Sequence, residues 1–404
     1  MSRARRVRGI VSGMLAVVIV AVLGYAAAAM LSPLPRLHVE QTVSSAVDGS
    51  WTDSLSMPDA GSTAVLAESG SIVSSGSTEP RPIAGAAKLV LVHVVLDAEP
   101  LAPGGTGAAI TIDQAAVDRY RALDAAGART VPVQFGQTLT RRDLIAATLL
   151  GSGNNTAELL IDAVFGGLDG YLAAAAVWLD EQGLTSTTVT DGTGFDPGSR
   201  STATDLARLG QLAFEHPALA DLLDARPRTT SAGSSFGDQA AFLPGLGTVG
   251  LVRSYTDAAG VCVLLGVPVG DETIVLALLG QPSYPAAESA TQTLVAELRE
   301  AVRDVEVVAA GQVVAVARSA WGQSTDYVAT ESISVSSTDL DGLGVRIETS
   351  SRSTIFRGGD AGSLVVTAGG EQQVARLEAA DAITEPGVAW RFADPVTVFG
   401  RWFG

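Results

Sequence analysis

The chain has 404 residues, room for one large domain and a smaller one, and carries 43 acidic against 26 basic residues for a net charge of −17. That acidic balance argues against a nucleic-acid binder. A single cysteine, Cys262, excludes an intramolecular disulfide and a thiolate metal cluster, and the three histidines, His38, His93 and His216, show no metal-ligand spacing; no metal and no cofactor are expected.

In chain order, Arg3, Arg5, Arg6 and Arg8 precede a run from Gly9 to Leu31 that contains no charged residue. The run is long enough to cross a hydrocarbon core as a helix. Arginines before it, with none after it until Arg36, place the N-terminus in the cytoplasm and the rest outside. A cleaved signal peptide is the alternative, with Ala26 to Ala29 as small residues for cleavage, but the run exceeds the usual signal core. Residues 1–31 are therefore read as anchor or signal, and 32–50, rich in Ser, Thr and Pro, as a linker. The main domain takes 51–303 and a C-terminal β domain 304–404.

Ser62 to Ser74 alternate weakly, as a hairpin's strands do, and 71–81 reads as a polar loop. Pro82 to Asp97 then reads as a helix buried on most sides. Lys88, the only lysine in the chain, lies near its start among alanines and leucines. Desolvation there lowers an amine's pKa and makes it a base for a hydroxyl one turn earlier. The residue one turn earlier is Gly85, which has none. The plainer reading of Lys88 is a side chain snorkelling to the surface.

Residues 98–138 read as loops and short elements, with Ile110 to Asp113 a short strand entering a helical turn. Thr140-Arg-Arg-Asp143 has capping-box spacing and starts a helix at about Arg141 that ends at Gly151. A Ser152-Gly153-Asn154 corner leads to a helix over Thr156–Phe165 stopped by Gly166-Gly167, and Leu168–Glu181 forms the next. Asp191 to Gly198 is a turn-rich loop; Thr202 and Asp205 cap a helix through Phe214. Residues 248–253, 260–267 and 273–279 read as neighbouring strands, Cys262 being a small core residue among them, and 286–302 as a helix. Beyond Asp304, short β-prone runs suggest an all-β module, and Trp390, Phe392, Phe399, Trp402 and Phe403 gather at the end as its edge or a membrane-facing patch.

Residues 50 to 303 resemble the low-molecular-mass penicillin-binding proteins, the serine-type D-alanyl-D-alanine carboxypeptidases. Pro82-Ile-Ala-Gly-Ala-Ala-Lys88 is similar to that family's Pro-Ile-Ala-Ser-x-x-Lys, Ser152-Gly-Asn154 to its Ser-x-Asn, and Gly250-Leu-Val-Arg-Ser-Tyr-Thr256 to its Gly-Ile-Lys-Thr-Gly-Tyr-Thr. The resemblance implies an α/β fold of the penicillin-binding-protein and β-lactamase type: an antiparallel sheet flanked by helices plus a helical part, followed by the β domain. It also implies roles. Lys88, Ser152 and Asn154 stand at catalytic positions, while Gly85 replaces the nucleophile and Val252, Arg253 and Ser254 replace the Lys-Thr-Gly that holds the substrate carboxylate. The expectation is a membrane-tethered, catalytically inactive relative that binds a peptidoglycan stem peptide or a cell-wall enzyme. The alternatives are an active carboxypeptidase with another nucleophile and a structural module with a vestigial pocket, which Val252 and Arg253 would have collapsed.

Overall fold

A computed structural model of the protein describes residues 3–44, 51–393, 396, 400 and 402. Helix α1 (Arg3–Leu31) is followed by β1 (His38–Gln41), the hairpin β2 (Ser62–Leu66) and β3 (Ile72–Gly76), and the short β4 (Arg81–Pro82). A 3-10 turn, Ala84–Ala86, leads into α2 (Ala87–Ala98). Next come β5 (Ala109–Thr111), α3 (Gln114–Ala125), β6 (Thr138–Thr140), α4 (Arg141–Leu149), α5 (Asn154–Phe165) and α6 (Leu168–Glu181). After β7 (Arg200–Ser201), α7 (Ala203–Glu215) and α8 (Pro217–Ala225), three long strands β8 (Val249–Thr256), β9 (Gly260–Val269) and β10 (Glu272–Gln281) precede α9 (Tyr284–Ala301). The rest is β11 (Asp304–Val308), β12 (Val313–Arg318), β13 (Ser324–Ala329), β14 (Ile333–Ser336), β15 (Gly344–Glu348), β16 (Asp360–Ala368), β17 (Glu371–Ala379) and α10 (Val388–Phe392).

The chain divides into two compact units, one of residues 49–303 with 336–341, the other of 1–48, 304–335 and 342–404. In the first, an antiparallel sheet runs in the order β3-β2-β10-β9-β8. Its central strands β9 and β10 are apolar over most of their length because both faces are covered, while the edge strands β3 and β8 carry polar residues. Cys262, Leu264, Val275 and Ala277 point to one core with α2 and α4 to α7, and Val263, Leu265, Leu276 and Leu278 to another with α9. Burial pushes the Cys262 thiol up to about 11, so it stays a small core residue. A bulge in the β8–β9 pairing between Gly250 and Val252 shifts the alternation, so that Leu251 and Val252 both join the helix-rich core.

Local signals set the helix ends. Thr140 and Asp143 form a complete capping box on α4, Gly166 ends α5 in the left-handed conformation, and the Thr202 side chain caps α7 at Asp205 N. Helix α5 starts two residues earlier than the sequence suggests, at Asn154. Helices α8 and α10 fall where none is expected, and α3 runs well beyond the single helical turn expected after Asp113. In α3 only Ala116 and Val117 are buried, so its apolar face is too narrow to show a period; α8 is a short helix opened by Pro217.

In the second unit a six-stranded sheet runs β1-β12-β13-β17-β16-β15. Strand β1 corrects the reading of 32–50 as a linker: His38 to Gln41 pair with Arg318 to Ala315 as the edge strand of this sheet. Its alternating exposed and half-buried residues lack the apolar face that marks a strand in sequence. Phe399 and Phe403 lie outside the described residues.

Candidate active-site cleft

Lys88 is buried, not snorkelling. Nine other residues of α2, from Ala87 to Leu96, are buried with it, and its Nζ donates a hydrogen bond to the Thr193 carbonyl at 3.0 Å. Burial lowers its pKa from 10.5 to about 7; Asp191 opposes that shift and Arg129 adds to it. The 191–199 loop that supplies the carbonyl is tied to one carboxylate. Asp191 accepts bonds from the Thr193 and Ser199 hydroxyls and from the Gly194 and Phe195 N–H groups. Gly194 has φ +80°, and a Cβ there would lie 1.6 Å from the Ala84 oxygen, so only glycine lets this loop reach the start of α2.

Ser152 and Asn154 face the same cleft, which measures about 300 Å³ and is also lined by Gly85, Lys88, Arg129, Phe195, Ser254 and Tyr255. The Asn154 amide nitrogen donates to the Arg129 carbonyl at 2.9 Å, while its Oδ1 is buried without a partner and free to accept a ligand N–H. Asn155, next in the chain, pins the facing loop through bonds to both the N–H and the carbonyl of Val131. Ala84 and Ser152 hold left-handed φ values of 45° and 53°; two strained non-glycine residues flanking one cleft mark a site maintained by its surroundings.

The third segment is rearranged. Val252 is buried in the helix-rich core and absent from the lining of the 300 Å³ cleft. A space of only about 10 Å³ remains where it meets Lys88 and Leu149, one water molecule at most. The Arg253 guanidinium lies 5.0 Å over the ring of Tyr284, which lines the edge of the 300 Å³ cleft. The main cleft has not collapsed around these two residues. Its cation is Arg129, which sequence reasoning missed; Arg129 Nη1 bonds the Arg253 carbonyl at 3.0 Å. No local pattern surrounds Arg129, and its place in the site depends on pairing with a strand far along the chain.

Gly85 and Ser254 fit each other. Gly85 has an ordinary backbone conformation, so nothing in φ demands glycine. A Cβ on it would meet Ser254 Cβ at 3.0 Å, Ser254 Oγ at 3.4 Å and Lys88 Nζ at 3.6 Å. The side chain missing from the helix is matched by one added on the strand. Ser254 Oγ is buried with no hydrogen-bond partner.

Elsewhere, the sequence-distant His93 and His216 come together, rings 6.4 Å apart, with Trp178 stacked on His93. Burial drives the His93 pKa down to about 3, which keeps that imidazole neutral. Among the described residues no three His, Cys, Asp or Glu side chains gather as metal ligands.

A lysine near the start of a buried helix, a Ser-x-Asn corner between two helices and an antiparallel edge strand thus line one cleft. The family model for D-alanyl-D-alanine carboxypeptidases matches residues 55–280, and the chain belongs to that family. Penicillin-binding protein 6B of Escherichia coli superimposes with a TM-score of 0.57 at 17% identity, covering 84% of this chain and 99% of that one. Penicillin-binding protein 5 of Haemophilus influenzae gives 0.55 at 17% identity over 82% and 100%. A D-alanyl-D-alanine carboxypeptidase of Mycobacterium tuberculosis gives 0.51 at 24% over 61% and 95%. These likenesses show the fold. Among curated proteins, none matches the chain.

Proposed function

We propose that this protein is a membrane-tethered, catalytically silent member of its family that binds the D-alanyl-D-alanine end of a peptidoglycan stem peptide without forming an acyl-enzyme. One observation carries the reading: the cleft beside Lys88 and Asn154 is open, while the helix position 3.6 Å from the Lys88 amine bears no hydroxyl. A covalent mechanism needs a nucleophile within reach of its base. Binding needs only the donors and acceptors that remain. The family is associated with the cell envelope, and α1, uncharged from Gly9 to Leu31 and exposed up to Gly24, fits the anchor. Arg3, Arg5, Arg6 and Arg8 at its start favour an orientation with the remainder of the chain on the far side of the membrane.

Arg129 takes over the carboxylate-holding role that Val252 has lost. Arg129→Ala is expected to weaken binding of a peptide ending in D-Ala-D-Ala about 10- to 100-fold, the worth of one charge-assisted contact. Calorimetry against the same peptide with an amidated C-terminus checks the assignment. Amidation should weaken binding to the native protein by a similar factor and change nothing further in the variant; equal losses in both proteins would place the carboxylate elsewhere.

One observation favours a second reading. The unpartnered Ser254 hydroxyl shares the space beside Gly85 with the Lys88 amine. In that reading the nucleophile has moved to the strand. The neutral amine takes the Ser254 proton, Oγ bonds to the penultimate alanine's carbonyl, and the peptide C–N bond breaks with the proton passing to the departing D-alanine. Labelling with a fluorescent penicillin separates the two. No covalent adduct is expected. A stoichiometric adduct on the tryptic peptide that begins at Ser254 would sink the first reading and establish the second.

A further inference from the structure

A lysine buried in a protein is almost always paired with a carboxylate. Lys88 is not. It is 5% exposed, and its one hydrogen bond goes to a carbonyl, that of Thr193. The Asp191 carboxylate acts on the amine only through space, because both of its oxygens are taken by the hydroxyls and N–H groups of its own loop. The other charge acting on the amine is the Arg129 guanidinium, a cation. These surroundings favour a neutral amine with a free lone pair, the form that attacks carbon.

The space before that amine is open. Gly85 and Lys88 both line the 300 Å³ cleft, and Gly85 sets no side chain in front of Nζ. A Cβ on Gly85 would lie 3.6 Å from Lys88 Nζ and 3.4 Å from Ser254 Oγ, so the amine and the unpartnered hydroxyl flank one space. Arg129 lines the same cleft and suits a carboxylate. The chemistry of an amine then narrows the ligand. With an ester or amide it would end as a stable amide and be spent. With an aldehyde or ketone the new bond is reversible and only water has to leave.

We propose that the cleft captures a small aldehyde or ketone bearing a carboxylate, as an imine on Lys88. The lone pair of Nζ bonds to the carbonyl carbon. The two amine protons pass in turn to the carbonyl oxygen, with the Ser254 hydroxyl as relay. The C–O bond breaks and water leaves, so that C=N replaces C=O and nothing is oxidised or reduced. Protonated by solvent, the imine nitrogen keeps an N–H for the Thr193 carbonyl. Arg129 holds the ligand's carboxylate. This capture goes beyond the peptide reading and shares with it only the open cleft and Arg129.

The test incubates the full chain with succinate semialdehyde and cyanoborohydride, which reduces an imine to a stable secondary amine. Lys88 is the only lysine, so peptide mapping has one site to find besides the N-terminal amine. The reduced adduct is expected on Lys88, with about tenfold more of it than butanal gives, an aldehyde of the same length without the carboxylate. Arg129→Ala should erase that preference. Label confined to the N-terminal amine overturns the proposal. Equal labelling of Lys88 by the two aldehydes overturns the carboxylate-bearing ligand. An adduct on Lys88 in a protein that binds no D-Ala-D-Ala peptide removes the peptide reading alone, and peptide binding with Lys88 unlabelled removes the imine alone.

Discussion

Gly85→Ser alone is expected to take little or no label from a fluorescent penicillin, and Gly85→Ser/Ser254→Gly to take a covalent one. The hydroxyl is not the only thing missing. A Cβ at Gly85 stands 3.6 Å from the Lys88 amine, a good place for a nucleophile, but 3.0 Å from Ser254 Cβ, closer than two such carbons sit without one giving way. Ser254 is held in β8 by its pairing with Cys262 of β9, so the incoming serine is the one displaced. Clearing Ser254 to glycine restores the space and the approach of a ligand to the strand. Removing a catalytic serine costs about 10⁶ in turnover in a serine hydrolase, so restoring one in working geometry is a large and readable change. The strained β-lactam ring supplies driving force that a peptide lacks. D-alanine release is therefore expected only after Val252→Lys and Arg253→Thr are added, because Val252 is buried without charge and Arg253 is committed to Tyr284. Mass spectrometry of the labelled proteins and a D-alanine assay read both steps. Label on Gly85→Ser equal to that on the double variant, or efficient release by Gly85→Ser, would show that Ser254 is no obstacle.

The parts of this molecule that could be read in the sequence are those decided within a few residues. The Thr140–Asp143 and Thr202–Asp205 caps, the stop at Gly166 and the buried stretch around Lys88 are local devices, and the strands flanking Cys262 are apolar because both faces of the sheet are covered. Strand β1, helix α8 and the length of α3 beyond its first turn are not legible because their burial depends on partners distant in the chain. The site divides along the same line. Lys88, Ser152 and Asn154 stand in short motifs, and the absent hydroxyl at Gly85 is visible in one letter. What fills the gap is not. Ser254 reads as one more degenerate position until the fold brings it against Gly85, Arg129 carries no pattern at all, and Asp191 reads only as the start of a turn-rich loop.

Lys88→Met is expected to stabilise the protein below neutral pH and to destabilise it near pH 10.5. The lysine pKa falls from 10.5 in an unfolded chain to about 7 in the fold, chiefly because burial disfavours the ammonium. Below pH 7 the amine is charged in both states, and the folded state alone bears the full desolvation penalty. Between pH 7 and 10.5 the unfolded chain still binds a proton that the folded one has released, so stability rises with pH; above 10.5 the penalty is gone. At about 1.4 kcal/mol for each pH unit the window spans about 5 kcal/mol. Methionine has a similar length and no charge, so it removes the penalty, but it leaves the buried Thr193 carbonyl without its donor, a loss of about 1–3 kcal/mol. The difference between variant and native protein should thus be a gain of about 2 kcal/mol or more at pH 6 and a loss of about 1–3 kcal/mol at pH 10.5. Urea midpoints at the two pH values measure it. A constant offset at both pH values would mean that the amine keeps its charge and its water, and that the cleft does not hold the neutral base on which the Ser254 reading depends.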